Sequence, residues 1–160
     1  MENIKGFLDT DVLLNWLCKE VTSDGKNLWE APYKILKRAE QGKVLLYTTL
    51  INLMEIRFVL RRKKKWAESE IEEVIKEIRE VNNIEIIIPD EGDLVAGFNL
   101  QSLYMLDPFD AVYFGVASKI SSFLISRDRD LINIANRIKE ERVAFDPEAF
   151  LEFIEKELLK

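Results

Sequence analysis

The stretch "GFLDTDVLLNWL", residues 6–17, places two carboxylates, Asp9 and Asp11, between two apolar patterns. The segment before Asp9, from Ile4 to Leu8, has the length and apolar character of a buried strand. The segment from Val12 to Lys19 carries its apolar residues at helical spacing. We therefore predict that a strand ends at Leu8 and a helix follows, with acidic side chains at the junction.

The same alternation of strand and helix patterns continues along the chain. Further strands are predicted at Val44 to Tyr47, IEIIIP (84–89), SFLIS (122–126) and RVAF (142–145). Helices are predicted at Trp29 to Gln41, Thr49 to Lys64, Ala67 to Val81, from Pro89 to about Leu106, from Asp107-Pro108 onward, Leu131 to Lys139 and in DPEAFLEFIEKELL (146–159). Strands separated by helices favour a parallel sheet covered on both faces. We predict a single three-layer α/β domain over residues 1–160, with about five strands.

Composition excludes several kinds of protein. The chain has 160 residues, of which 48% are hydrophobic, and this suits one globular domain. No apolar stretch is long enough to cross a membrane and no signal peptide pattern begins the sequence, so a soluble cytoplasmic protein without membrane attachment is expected. The sequence has no histidine. An enzyme with this composition therefore has neither an imidazole base nor a histidine zinc site, and we expect carboxylates to carry its chemistry.

Four acids lie where ligands bind in parallel sheets, at the carboxyl ends of the strands. Asp9 follows the first strand and Asp128 the fourth, Glu55 lies on the helix after the second strand, and Asp110 begins the helix before the fourth. Converging carboxylates repel one another unless a cation neutralises them. Oxygen ligands favour Mg²⁺ or Mn²⁺, which commonly bridge protein acids and phosphate. The residues therefore indicate metal-assisted phosphoester chemistry.

Each acid also has a structural alternative as a helix cap or a first-turn charge. Asp107 is predicted to be the cap before Pro108, and Asp130 is better placed than Asp128 to cap the helix after the fourth strand. Capping or a first-turn position stays open for Asp9 or Thr10, for Asp11 and for Asp110.

A basic run, "RFVLRRKKK" (57–65), begins two positions after Glu55 and holds six basic residues in nine. The net charge of −6 argues mildly against nucleic acid as a partner. Two interpretations remain open for the run. It is either a solvated helix end that pairs with the acidic helix after it, or an RNA-guiding surface that includes Arg57, Arg61 and Arg62.

Four segments carry a family resemblance: "FLDTDVLLNWL", "TTLINLMEIRFVL", "DPFDAVYFGVA" and "FLISRDRDL". They resemble the four acidic motifs of PIN-domain nucleases, particularly VapC-type toxin ribonucleases. The resemblance implies that Asp9 and Asp110 bind the metal directly, while Glu55 and Asp128 bind a second ion or orient water. It also implies Asp130 as a possible fifth acid, with Thr10 and Ser126 as hydrogen-bonding neighbours of the carboxylates or of a phosphate.

The resemblance further implies a single-stranded RNA substrate, a small antitoxin protein as partner and a homodimer. Alternatives stay open. The Asp-Thr-Asp stretch also resembles the first motif of haloacid-dehalogenase-type phosphatases, in which Asp9 would be the nucleophile. A receiver domain also uses acids at strand ends, and a PIN fold can serve as a binding scaffold without cleaving RNA.

Overall fold

The computed structural model describes residues 3–160. Within that range the strands are β1 (Ile4–Leu8), β2 (Val44–Thr49), β3 (Ile84–Ile87), β4 (Phe123–Ile125) and β5 (Ala144–Phe145). The helices are α1 (Thr10–Leu17), α2 (Glu30–Glu40), α3 (Leu50–Arg62), α4 (Glu68–Glu80), α5 (Glu91–Tyr104), α6 (Pro108–Lys119), α7 (Arg129–Lys139) and α8 (Pro147–Leu158). No helix of this range is long and apolar enough to span a bilayer.

The strands form one parallel sheet in the order β3-β2-β1-β4-β5. The chain starts at the central strand, moves outward through β2 to β3, and then returns to the other side of β1. The direction of winding therefore reverses between β1 and β4. In open α/β sheets such a switch point leaves a crevice at the carboxyl ends of the two strands. The structure confirms the predicted α/β domain, and this crevice is the candidate position for a ligand site.

Helices cover both faces of the sheet. Successive side chains of a strand point to opposite faces, so neighbouring residues of one strand enter different cores. Phe7 and Leu124 belong to the hydrophobic core that also contains residues of α6 and α7. Leu8 and Ile125 belong to the core that also contains residues of α1 to α4 and of α8. The sheet is therefore the middle layer of three, and β1 and β4 at its centre contribute buried side chains to both cores.

Helix α8 packs closely against the central strand. A Cβ atom at Gly6 would lie 2.8 Å from Ile125 Cδ1 and 3.0 Å from Phe150 Cζ. The absence of a side chain at Gly6 therefore lets the Phe150 ring of α8 approach the sheet. This packing brings the C-terminal helix close to the two strands that border the switch point.

Two helices begin earlier than the apolar pattern predicts, because the acid after each strand is the cap. Asp9 is the N-cap of α1 and accepts a hydrogen bond from the Thr10 amide. Asp128 is the N-cap of α7 and accepts from the amides of Asp130 and Leu131. The expectation that Asp130 caps this helix is therefore wrong; Asp130 lies in the first turn. The predicted bounds of the remaining elements agree with the structure to within a few residues.

Candidate active site

Asp9 lies at the switch point, directly after β1. Its side chain is buried, its Oδ1 accepts a hydrogen bond from the Thr10 amide at 2.8 Å, and its Oδ2 accepts one from Ser126 Oγ at 2.7 Å. Burial, reinforced by the charges of Glu55 and Asp128, raises the pKa of Asp9 to about 6, although these two hydrogen bonds oppose the shift. Asp9 is thus a firmly positioned carboxylate whose charge is unfavourable without a counterion.

Glu55 reaches the same region from α3. Its Oε1 accepts hydrogen bonds from Thr10 Oγ1, at 2.9 Å, and from the Tyr113 hydroxyl of α6. Thr10 Oγ1 in turn accepts from Nδ2 of the buried Asn52, also at 2.9 Å. Asn52 forms a capping box with Thr49 at the start of α3. One oxygen of Glu55 is therefore fixed from two sides.

Tyr113 is suited to the role of donor. Burial, then the hydrogen bond to Glu55 and the Glu55 charge, raises the pKa of Tyr113 above its usual range. The hydroxyl therefore stays protonated and donates a hydrogen bond to the carboxylate.

Asp110 and Asp128 both line a cleft of about 490 Å³. Asp107, Asp130 and Arg137 also line this cleft. Burial is the main reason that the pKa of Asp110 is raised to about 7, and the charges of the surrounding acids, Asp9 first, add to it. Asp110 thus lies within the field of the other three predicted acids rather than on an open helix surface.

Asp107 and Asp128 are helix caps of different character. Asp107 accepts from the Phe109 amide at 2.9 Å and the Asp110 amide at 3.4 Å, which confirms that it caps α6. Asp128 caps α7 through Oδ1 only, with hydrogen bonds of 3.0 Å and 3.2 Å. Asp128 therefore keeps its second oxygen for the cleft while it starts a helix.

Asp11 lies in the first turn of α1, but its carboxylate is turned inward. Its Oδ2 accepts a hydrogen bond from the Arg127 amide at 3.1 Å, and its buried Oδ1 has no hydrogen-bond partner among residues 3–160. Burial, followed by the nearby charge of Asp9, raises the pKa of Asp11 to about 8. Asp11 is thus more than the first-turn surface charge that the sequence indicates, since it ties α1 to the turn after β4.

The site fits a hard divalent cation in its chemistry. Every candidate ligand is a carboxylate, and oxygen ligands without histidine or thiolate suit Mg²⁺ or Mn²⁺. Burial and the neighbouring acids disfavour the charged forms of Asp9 and Asp110 and raise their pKa values, and a bound cation would favour those charged forms. Over residues 3–160, however, no three acidic or other metal-binding side chains stand close enough together to hold an ion as they are. The fit therefore rests on the donor types and the electrostatics.

Two of the six basic residues in the run, Arg57 and Arg61, contact the acidic helix that follows it. Arg57 donates to Glu68, at 3.2 Å, and to Glu72 of α4. Arg61 donates to the Trp66 carbonyl at 3.1 Å and lies 3.6 Å from Glu68. Arg62 is exposed and forms no ion pair within the described part of the chain. For Arg57 and Arg61 this favours the interpretation of pairing with the acidic helix.

Sequence reasoning missed three polar residues that support the site: Tyr113, Asn52 and Arg127. Two signals were available. Tyr113 lies three residues after Asp110 and hence on the same side of its helix, and Asn52 follows Thr49 at the spacing of a capping box. The contacts of Arg127 join distant segments, so local spacing gives no sign of them.

The fold and the acids at its switch point define an α/β protein with a carboxylate-lined site. A model of the PIN domain family matches residues 6–137, and the chain belongs to this family. The membership confirms the resemblance seen in the four acidic segments. No curated protein sequence matches the chain.

Several solved structures share the fold. Alignment with PAE2754 from Pyrobaculum aerophilum covers 96% of both chains at 15% identity, with a TM-score of 0.63. A toxin-antitoxin complex from Klebsiella pneumoniae aligns with 89% of this chain and 97% of that chain at 15% identity, with a TM-score of 0.63. VapBC2 from Rickettsia felis, bound to a DNA fragment from its promoter, aligns over 89% of this chain and 98% of that chain at 13% identity, with a TM-score of 0.66. At these identities the likeness is one of fold.

Proposed function

We propose that the protein is a divalent-metal-dependent endoribonuclease that hydrolyses phosphodiester bonds in single-stranded RNA, and that it is the toxin of a toxin–antitoxin pair. The observation that carries this proposal is the group of uncompensated acids at the switch point of a PIN fold. Asp9 and Asp110, with pKa values near 6 and 7, need a counterion when they are ionised at neutral pH. A divalent cation held by these acids would supply that compensation.

The acids would have different roles in binding the cation. Asp9 and Asp110 would be direct ligands, and Glu55 and Asp128 would bind a second ion or orient water, with Asp130 as a possible fifth acid. When bound, Mg²⁺ or Mn²⁺ lowers the pKa of water and stabilises negative charge on phosphate oxygens.

The surrounding residues would hold these acids in productive orientations. Ser126 fixes Oδ2 of Asp9, and Thr10 and Tyr113 fix Oε1 of Glu55. Oε2 of Glu55 accepts no hydrogen bond from residues 3–160, so it is the oxygen that can accept one from a water molecule aimed at the phosphate. Because water is the nucleophile, the products should carry 5′-phosphate and 3′-hydroxyl ends.

The decisive experiment is cleavage of a labelled single-stranded RNA by purified protein. We expect cleavage with Mg²⁺ or Mn²⁺ that EDTA stops. Asp9→Asn should abolish it, while the matched variant Asp90→Asn, which alters the N-cap of α5 outside the cleft, should remain active. Cleavage that persists in EDTA, or cyclic phosphate ends, would contradict the proposed chemistry.

Two alternatives are separated by the same assay. Membership of the PIN family argues against a phosphatase with Asp9 as nucleophile, and the absence of a phosphorylated Asp9 intermediate would agree. A scaffold without catalytic function would bind RNA or a partner yet leave every RNA intact in the presence of metal.

The partners are proposed from the same likeness. The Klebsiella structure is a toxin-antitoxin complex, and by analogy a short open reading frame just upstream of this gene would encode the antitoxin. Copurification of its product with loss of RNA cleavage would support the pairing.

A homodimer is the proposed assembly. Its apolar surface would come from exposed side chains of α5 and the turn after it, Val95, Phe98, Leu103 and Met105. Light scattering tests it.

A further inference from the structure

The Arg127 side chain makes three hydrogen bonds beside the site, although it does not face the acids. Its Nε donates to Asn15 Oδ1 of α1 at 2.8 Å, and its Nη2 donates to the Leu28 carbonyl at 2.8 Å. Its Nη1 donates to Glu148 in the first turn of α8. The side chain is only 17% exposed. One guanidinium group therefore joins α1, the segment before α2 and the C-terminal helix.

The residues on either side of Arg127 face the site. Ser126 Oγ donates to Asp9 and accepts from the Asp128 amide at 3.0 Å. The Asp128 carboxylate caps α7 and lines the cleft. In this turn after β4, Ser126 and Asp128 are thus directed to the acids, whereas the Arg127 side chain is directed to Asn15, Leu28 and Glu148, which anchor it.

The backbone of Arg127 is also held in place, because its amide donates a hydrogen bond to Asp11 Oδ2. We propose that Arg127 is a positioning residue: anchored by Asn15, Leu28 and Glu148, it keeps Ser126 and Asp128 in register with Asp9. Helix α8 thereby becomes part of the support of the site, although Glu148 lies beyond residues 6–137 that the PIN family model matches. The role in catalysis rests on the proposed nuclease function, whereas the positioning itself does not.

The requirement is for the shape of arginine as well as its charge. A guanidinium presents donors in a rigid fork, and here three of its nitrogens reach three acceptors in different directions. A lysine at the same position keeps the charge, but a single ammonium cannot satisfy all three. Arg127→Lys therefore separates loss of the fork from loss of charge.

Nearby residues give matched controls. Arg129 lies two positions further on and pairs with Asp146, but its side chain is 70% exposed. Glu152 lies one turn after Glu148 on α8 and pairs only with the exposed Lys156. Arg129→Lys and Glu152→Gln therefore change the same residue types close to the test positions without removing a contact of Arg127.

Hydrogen exchange in metal-free protein tests the positioning without reference to activity. The amides of Asp130 and Leu131 are protected by the Asp128 carboxylate, so their exchange reports directly on its position. We expect faster exchange over residues 126–132 in Arg127→Lys. The increase should be smaller in Glu148→Gln, because the side-chain oxygen of glutamine is still a neutral hydrogen-bond acceptor for Arg127. The two controls should match the parent. Unchanged exchange in both test variants would overturn the inference.

A second measurement tests the consequence for the site. In Arg127→Lys we expect the Mn²⁺ concentration that half-saturates the rise in melting temperature to increase about 10- to 100-fold, as for other residues that orient metal ligands. The rate of RNA cleavage should also fall, when it is measured at a temperature well below the melting temperature of the variant. A lower melting temperature with unchanged Mn²⁺ dependence would reduce Arg127 to a general stabiliser and overturn the inference. If the parent cleaves no RNA, the proposed function fails, and the exchange result still decides the positioning.

Discussion

Tyr113 donates a hydrogen bond to Glu55, and so a residue of α6 fixes an acid of α3 across the carboxyl ends of the strands. Asp110 lies one helical turn before Tyr113. The same helix therefore supplies one acid to the site and orients another. This link couples the packing of α6 to the geometry of both acids.

Removing the Tyr113 hydroxyl should loosen Glu55 without changing the packing of the ring. For Tyr113→Phe we expect the free energy of unfolding to fall by about 1–2 kcal/mol, because a hydrogen bond to a charged group is lost. RNA cleavage should fall about tenfold, as for other residues that orient a ligand. Chemical denaturation and initial cleavage rates measure the two effects. Tyr47→Phe is the control, and equal behaviour of the two variants would show that the hydroxyl does not matter.

Asp110→Asn separates a metal ligand from a helix charge. Removing this charge relieves repulsion, so the variant should melt no lower than the parent in EDTA. In excess Mg²⁺ it should melt lower than the parent, because a ligand stabilises a fold in proportion to its binding. Cleavage should be lost. An active variant whose melting temperature rises with Mg²⁺ as the parent's does would place the metal site elsewhere.

The acids should also make stability depend on pH in the absence of metal. The pKa values of Asp9 and Asp110 are raised in the folded protein to about 6 and about 7, from the ordinary value of 3.8 for an aspartate. The folded state therefore binds more protons than the unfolded state in this window. The stability they contribute is complete below about pH 4 and is lost as the pH rises through 6 and 7. Melting temperatures in EDTA should show this decline between pH 4 and 8. The decline should be smaller in Asp110→Asn, and identical slopes would refute the assignment.

The residues of the basic run should contribute unequally to RNA binding. Arg62 has a free guanidinium within the described chain, whereas Arg57 must leave its glutamates to reach a phosphate. Arg62→Gln should weaken RNA binding and reduce the slope of log affinity against log salt by about one unit, with little change in stability. Arg57→Gln should chiefly lower the melting temperature. Salt titrations of RNA affinity decide this, and an unchanged slope in Arg62→Gln would leave the run with a structural role only.

Local patterns in the sequence were sufficient to predict the fold, because short apolar runs alternate with helical spacing along the chain. They also indicated that acids follow β1 and β4. The choice between Asp128 and Asp130 as cap was wrong, since it depends on the direction in which the chain leaves β4. Spacing along the sequence does not carry that direction.

The support of the site could not be predicted in the same way. Arg127 contacts Leu28 and Glu148, which are far apart in sequence and meet only when the sheet has formed. The inward turn of Asp11 likewise depends on an amide of the loop after β4. Such contacts are properties of the tertiary structure, whereas capping residues and apolar periodicity are properties of short segments.

The parallel sheet has an electrostatic consequence at the edge that holds the acids. Helices α1, α3 and α7 each begin within a few residues of the carboxyl end of a parallel strand, so their N-termini lie at the same edge. Each N-terminus carries roughly half a positive charge from its unpaired backbone N–H groups. Negative side chains and a positive backbone therefore share one end of the molecule. An approaching polyanion meets a field less repulsive than the carboxylates alone would produce, even on a protein whose net charge is −6.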